Sequence, residues 1–79
     1  LELNDLSIFP NPTSSFLTIQ SNNLISPISI YDITGKLVLQ NWGNSNEIIL
    51  DISNLKSGLY FIKSSSQNSS IRKRFIVSN

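Results

Sequence analysis

The chain has 79 residues, enough for one small domain, and its six basic and five acidic residues leave a net charge of only +1. This balance gives no overall electrostatic field that would suggest binding to nucleic acid or a membrane surface. Twelve isoleucines, fifteen serines and ten asparagines favour strands and turns and argue against an all-helical bundle. The sequence has no histidine and no cysteine, which excludes disulfides, thiolate nucleophiles, imidazole bases and metal sites built on those ligands, and no apolar run is long enough to predict a transmembrane segment.

The N-terminal part predicts two strands. Residues 1–5 have no clear period and are expected to be the end of a linker, with the domain running from residue 6 to residue 79. A short strand over residues 6–9 is followed by Pro-Asn-Pro, which breaks the ladder because proline has no backbone N–H. A second strand is predicted over residues 16–20, followed by a loop over residues 21–26.

The middle of the chain predicts a β-hairpin. Pro27 begins a strand that alternates polar and apolar side chains up to a turn at residues 32–35. In that turn Asp32 can accept backbone N–H bonds, and Gly35 can adopt a positive φ without a Cβ clash. Residues 36–40 return as the partner strand.

The C-terminal half predicts three further strands. Residues 41–46 read as a loop, and residues 47–52 as a strand with every second side chain facing inward. Residues 59–63 are apolar on both faces, which indicates a central strand. A polar loop over residues 64–70 precedes a final strand over residues 71–77. About seven short strands separated by turn signals predict an all-β, Ig-like antiparallel β-sandwich.

The acidic residues do not predict catalysis. General acid–base chemistry needs two carboxylates in one pocket with separated pKa values. Asp32 is explained by its turn, Asp51 lies on the outward side of its strand, and no histidine is present to activate a serine. We therefore predict that the chain is not an enzyme and that it holds no cofactor and no metal.

The basic residues Arg72, Lys73 and Arg74 form a cluster on the final strand. Alternation places Arg72 and Arg74 on one side of that strand and Lys73 on the other. Two interpretations remain open: the charges protect an edge strand from pairing with another chain, or they dock a partner. Nucleic acid is not a predicted partner, because three charges at one end do not form a continuous basic face.

Two aromatic residues, Trp42 and Tyr31, are candidates for a small sugar-binding platform. The alternative is that Trp42 covers part of the core. The sequence therefore keeps open a second function, that of an Ig-like accessory or carbohydrate-binding module of a secreted enzyme.

Four short motifs occur in a fixed order along the chain. They are Pro10, Asn11 and Pro12; then Asp32, Gly35 and Lys36; then Gly58 and Tyr60; and finally the basic–apolar run Lys73, Arg74, Phe75 and Ile76. Together they resemble the type A C-terminal sorting domain of the type IX (Por) secretion system of Bacteroidota, over about residues 6–79.

The resemblance implies that the chain is a secretion signal at the end of a cargo protein, with residues 1–5 ending the linker from that cargo. Its implied partners are the outer-membrane translocon, the shuttle proteins and a sortase-like cysteine protease that usually removes the domain. The implied location is the periplasm in transit, and then the cell surface or the extracellular space.

The candidate residues for translocon recognition lie on the last strand. They are Arg72, Lys73, Arg74, Phe75 and Ile76. The Pro-Asn-Pro, hairpin and Gly-x-Tyr motifs are expected to hold the fold. A monomer and a weak dimer formed through edge strands both fit the sequence.

Overall fold

Seven strands form the fold in a computed structural model that describes residues 6–25, 27–43, 45–66 and 69–78. In chain order they are β1 (Leu6–Phe9), β2 (Phe16–Ile25), β3 (Ile28–Tyr31), β4 (Leu37–Asn41), β5 (Ser45–Asp51), β6 (Gly58–Ser66) and β7 (Ser69–Val77). The described ranges contain no helix, and therefore none that is long and apolar enough to cross a membrane. The predicted linker over residues 1–5 lies outside the described residues.

The strands form two antiparallel sheets that pack face to face. One sheet has three strands in the order β1-β2-β5, and the other has four in the order β4-β3-β6-β7. This confirms the predicted all-β, Ig-like sandwich. It also confirms that β6 is central, since it lies between β3 and β7, whereas β7 is at an edge.

The core consists of the side chains that alternate toward the space between the sheets. Leu17 and Ile19 of β2 and Ile48 and Leu50 of β5 are buried from one sheet, as the alternation predicted. Burying each such side chain contributes about 1.5–3 kcal/mol, which is how a short chain rich in isoleucine stabilises its fold. The buried apolar residues are Leu6, Leu17, Ile19, Ile28, Ile30, Ile48, Leu50, Ile52, Tyr60, Ile62, Phe75 and Val77.

Several strands are longer than the sequence predicted. β2 continues to Ile25 through the predicted loop, with an irregular register between Gln20 and Ile25, and β5 already begins at Ser45. The β6–β7 hairpin extends the ladder to the pair Ser66 and Ser69. The predictions were short here because polar side chains give no burial pattern, whereas backbone pairing does not depend on that pattern.

Candidate functional site

The outer face of the four-stranded sheet combines aromatic rings with cations. Phe61 pairs with Tyr31 on one side and with Arg74 on the other, and Lys63 pairs with Arg72 in the neighbouring row. The core residues Ile30, Tyr60, Ile62 and Phe75 alternate with them along the strands, so these five side chains point away from the core. We call this surface the cationic face; its residues are Tyr31, Phe61, Lys63, Arg72 and Arg74.

A shallow depression of about 330 Å³ opens on the cationic face. Its lining residues are Tyr31, Asp32, Ile33, Gly35, Phe61, Lys63 and Arg72. The rings offer apolar contact area, and the cations attract and orient a negatively charged partner. Because the depression is open, it fits a segment of a larger partner better than an enclosed small molecule.

The carboxylate nearest to this surface, that of Asp32, is engaged in its own turn. It accepts hydrogen bonds from the Thr34 hydroxyl at 2.5 Å, the Thr34 N–H at 2.9 Å and the Lys36 N–H at 3.0 Å. These donors, the Thr34 hydroxyl first and the Lys36 N–H second, lower the pKa of Asp32 from its ordinary value of 3.8. Among the described residues the structure gives the cations of the face no carboxylate partner.

The hairpin turn also shows why Gly35 suits its position. Gly35 has a φ of 90°, a conformation that L side chains rarely adopt, and its N–H donates to the Asp32 carbonyl at 3.0 Å. The turn thus fixes the end of β3 next to the cationic face.

The edge of β7 is partly covered by residues 10–13, which we call the crossing segment because they leave β1 and reach the other sheet. The peptide bonds before Pro10 and Pro12 are both cis. Asn11 Oδ1 accepts the Ile76 N–H at 2.9 Å, and the Thr13 N–H donates to the Ile76 carbonyl at 2.9 Å. The Ser78 N–H donates to the Thr13 carbonyl at 2.8 Å. The Pro-Asn-Pro motif therefore occupies the C-terminal part of this edge.

The remaining part of the edge is open. Backbone N–H and C=O groups alternate between the two sides of a strand, and those of Ile76 point outward to the crossing segment. The backbone groups of Arg74 and Arg72, two and four residues earlier, point to the same side. Within the described residues β7 pairs only with β6 and, through Val77, with Thr13. We call residues 72–74 the open edge of β7.

The structure separates the five predicted recognition residues. Arg72, Lys73 and Arg74 are exposed, and Ile76 is 47 % exposed. Phe75 is 1 % exposed, and its ring stacks on Tyr60 with 5.8 Å between the centroids. In the folded domain Phe75 therefore anchors β7 to the core and is not available on the surface.

The Gly-x-Tyr motif begins β6 just after the chain crosses from β5. The Tyr60 hydroxyl donates to the Lys56 carbonyl, four residues upstream, at 2.7 Å. A tyrosine that bonds back to the backbone at this corner is a feature of Ig-like sandwiches. Gly58 precedes it with a φ of 155°.

The two aromatic residues considered for sugar binding are not brought together. Tyr31 pairs with Leu37 at the start of β4, whereas Trp42 follows Asn41 at the end of that strand. Trp42 is also 69 % exposed, so it does not cover the core. No specific observation on these residues favours a carbohydrate-binding module.

Two members of the cationic face, Phe61 and Lys63, were not predicted from the sequence. Both lie on one side of the strand predicted over residues 59–63. Only the register of the β6–β7 hairpin, however, places Lys63 opposite Arg72 and Phe61 opposite Arg74.

Comparison with known proteins identifies the family. No curated protein matches the chain. Residues 7–78 match the family described as the secretion system C-terminal sorting domain, a range that includes the crossing segment, the hairpin turn and β7. This match confirms the resemblance that was read from the four motifs. The chain therefore belongs to the family of secretion system C-terminal sorting domains, which are sorting signals rather than catalysts and direct the cargo proteins of type IX secretion to the cell surface or the extracellular space.

Proposed function

We propose that the outer-membrane translocon of the type IX system and its shuttle proteins recognise the folded domain through the cationic face and the open edge of β7. The observation that carries this proposal is that Arg72 and Arg74 combine two features. Their backbone groups lie on an open strand edge, and their side chains lie on a face that also carries Lys63 and two aromatic rings. An edge of this kind can accept a strand, and its charge accelerates the encounter with a partner.

Within this proposal the residues of β7 have different tasks. Arg72 and Arg74 contact the partner on the outer face, and Lys73 contacts it on the other side of the strand. Ile76 extends the contact with its half-exposed side chain, next to Leu59, with which it pairs. Phe75 contributes indirectly, because its burial fixes the direction in which its neighbours point.

The passage of the domain is also part of the proposal. The domain folds in the periplasm, crosses the outer membrane with its cargo and is then removed by the sortase-like cysteine protease. The cut lies before Leu6, because β1 is paired with β2 from Leu6 onward and Leu6 itself is buried. Proteases cleave extended segments that are free of a sheet more readily than paired strands.

An export assay tests the recognition surface. The 79-residue chain is fused behind a periplasm-targeted fluorescent protein in a host with a working type IX system. The double variant Arg72→Gln/Arg74→Gln should reduce surface and extracellular fluorescence by roughly tenfold, because two charge-assisted contacts are lost. A host without the translocon gives the background.

A variant matched in charge controls for net charge. Arg74→Gln and Lys56→Gln each remove one positive charge, but the Lys56 side chain is exposed on the β5–β6 connection, outside the cationic face. Export should fall with Arg74→Gln and stay unchanged with Lys56→Gln. Normal export of the Arg72→Gln/Arg74→Gln fusion would refute the proposed recognition surface.

A further inference from the structure

We infer that the partner segment at this site is an acidic β-strand that pairs with the open edge of β7, and that the same three charges keep two copies of the chain from pairing there. This inference rests on the proposed function, because it specifies the chemistry of the partner at the same surface. It also joins the two interpretations of the basic cluster that the sequence left open.

The uncovered part of the β7 edge is short. The crossing segment already binds the backbone of Ile76 and the N–H of Ser78. Upstream of Ile76, the backbone groups that point to this side of β7 are those of Arg74, Arg72 and Ser70, so an added strand gains only a short ladder of backbone hydrogen bonds. Cross-strand side-chain pairs must therefore provide much of the affinity and the specificity.

The charges of the open edge determine the chemistry of those pairs. A strand added to the open edge places side chains opposite Arg72 and Arg74 on the outer face and one side chain opposite Lys73 on the other side. The three side chains involved, those of Arg72, Lys73 and Arg74, are cationic and exposed. Three consecutive carboxylates on the added strand would therefore each meet a cation.

A second copy of the chain does not fit as the partner through β7. Antiparallel pairing of two β7 strands centred on Lys73 would set Lys73 against its own copy and Arg72 against Arg74. Like charges directly opposite each other destabilise a strand pair. The basic cluster thus prevents the edge-to-edge association to which exposed edges are prone.

The other described edge strands of the same chain do not supply the acidic partner either. β1 and β4 contain no acidic residue, and β5 has Glu47 and Asp51 four positions apart. None of these described edge strands can set more than one carboxylate against residues 72–74. The acidic strand is therefore not one of the described edge strands of this domain, and we assign it to a partner protein.

Titration of the isotope-labelled 79-residue chain with synthetic peptides, followed by NMR, tests this inference. The probe is a short β-prone peptide with three consecutive glutamates between valine and threonine residues. One control peptide carries glutamine in place of each glutamate, and a second is the acidic peptide with N-methyl groups on the backbone amides that would pair with β7. We expect the acidic peptide to shift the amide signals of residues 72–74 and to bind roughly tenfold more tightly than the glutamine peptide, with weaker binding at high salt.

The outcomes separate the parts of the inference. Equal binding of the glutamine peptide would overturn the acidic requirement, and equal binding of the N-methylated peptide would show a flexible polyanion contact in place of strand pairing. No shift at residues 72–74 up to the solubility limit of the acidic peptide would overturn the site. Arg74→Gln should weaken binding of the acidic peptide, and Lys56→Gln should not. Dispersed amide signals in the spectra of both variants would show that a loss of binding is not a loss of fold.

Failure of this inference is distinguishable from failure of the proposed function. If Arg72→Gln/Arg74→Gln stops export but the unmodified chain ignores the acidic peptide, the recognition surface stands and the acidic strand is refuted. If the peptide binds residues 72–74 but export of the double variant is normal, the acidic-strand site stands and its role in sorting is refuted.

Discussion

The two outer faces of the sandwich differ in character although the same alternation of side chains builds both. On the three-stranded sheet, Phe9 and Ile49 flank Thr18, and Phe16 pairs with Asp51. Phe16 is 56 % exposed and Ile49 is 62 % exposed, so this face presents large apolar side chains to the surface. The four-stranded sheet instead presents the cationic face.

The charges on the two faces also differ in what they bind. On the three-stranded sheet, Glu47 accepts a hydrogen bond from Gln20 at 2.8 Å, and Asp51 accepts from the N–H and hydroxyl of Ser53 at 3.0 and 2.6 Å. These carboxylates are satisfied locally, whereas the cations of the other face have no carboxylate among the described residues. The difference supports the proposal that the cationic face contacts the partner.

The largest expected effect is a difference in the free energy of unfolding between a substitution on the inward side of β7 and one on its outward side. Phe75→Ala should destabilise the domain by about 3–5 kcal/mol, because it leaves a cavity beneath Tyr60, whereas Ile76→Ala should cost about 1 kcal/mol or less. Urea unfolding of both variants measures the difference. A similar loss for the two neighbours would contradict the burial of Phe75.

Removing charges from each face in turn would test whether only one of them serves sorting. Glu47→Gln/Asp51→Asn removes two charges from the three-stranded sheet and should leave export within about twofold of the unmodified fusion. The cationic-face variant Arg72→Gln/Arg74→Gln should lose roughly tenfold in the same assay. If both double variants lose export equally, the distinction between the faces is refuted, provided that circular dichroism shows both to be folded.

Neutralising the edge charges should expose β7 to pairing between copies. The triple variant Arg72→Ser/Lys73→Ser/Arg74→Ser should form dimers at concentrations where the unmodified chain stays monomeric, as sedimentation velocity would show. Lys56→Ser serves as the control that alters charge away from the edge. A monomeric triple variant would mean that the crossing segment alone protects β7.

The smallest expected effect is a loss of stability at low pH, to which Asp32 and Asp51 both contribute. Hydrogen bonds from the Ser53 hydroxyl and N–H lower the pKa of Asp51 from 3.8, as the donors in the hairpin turn do for Asp32. Because the folded pKa values lie below the unfolded ones, this stabilisation is fully present above the unfolded pKa and is lost as pH falls toward the folded values.

The urea midpoint should therefore decrease as pH falls below about 4, and Asp32→Asn and Asp51→Asn should each reduce that decrease. The comparison of the two variants shows whether the two sheets respond alike. If the urea midpoint of Asp32→Asn/Asp51→Asn decreases at low pH as much as that of the unmodified chain, other groups cause the decrease.

Much of the fold was predictable because burial leaves a pattern in the sequence. Alternating isoleucine and leucine predicted the inward sides of β2 and β5, and Asp32 with Gly35 predicted the hairpin. The serine-rich ends of β6 and β7 left no such pattern, although their backbones pair.

The candidate site was only partly predictable, because it depends on contacts between distant residues. The sequence showed the three charges of β7, but Lys63 and Phe61 join them only through the hairpin register. Asn11 and Ile76 are 65 residues apart, and no local signal predicts that one binds the backbone of the other. The extent of the open edge therefore required the structure.

The hydrogen bonds between the crossing segment and β7 have a consequence for biosynthesis. Translation makes Asn11 and Thr13 early, but their partners Ile76 and Ser78 emerge from the ribosome only after the other six strands. A polypeptide that stops short of β7 cannot form these hydrogen bonds and lacks the charged strand. Under the proposed recognition through β7, a prematurely terminated precursor carries no address for export, and the sorting domain acts as a completeness check.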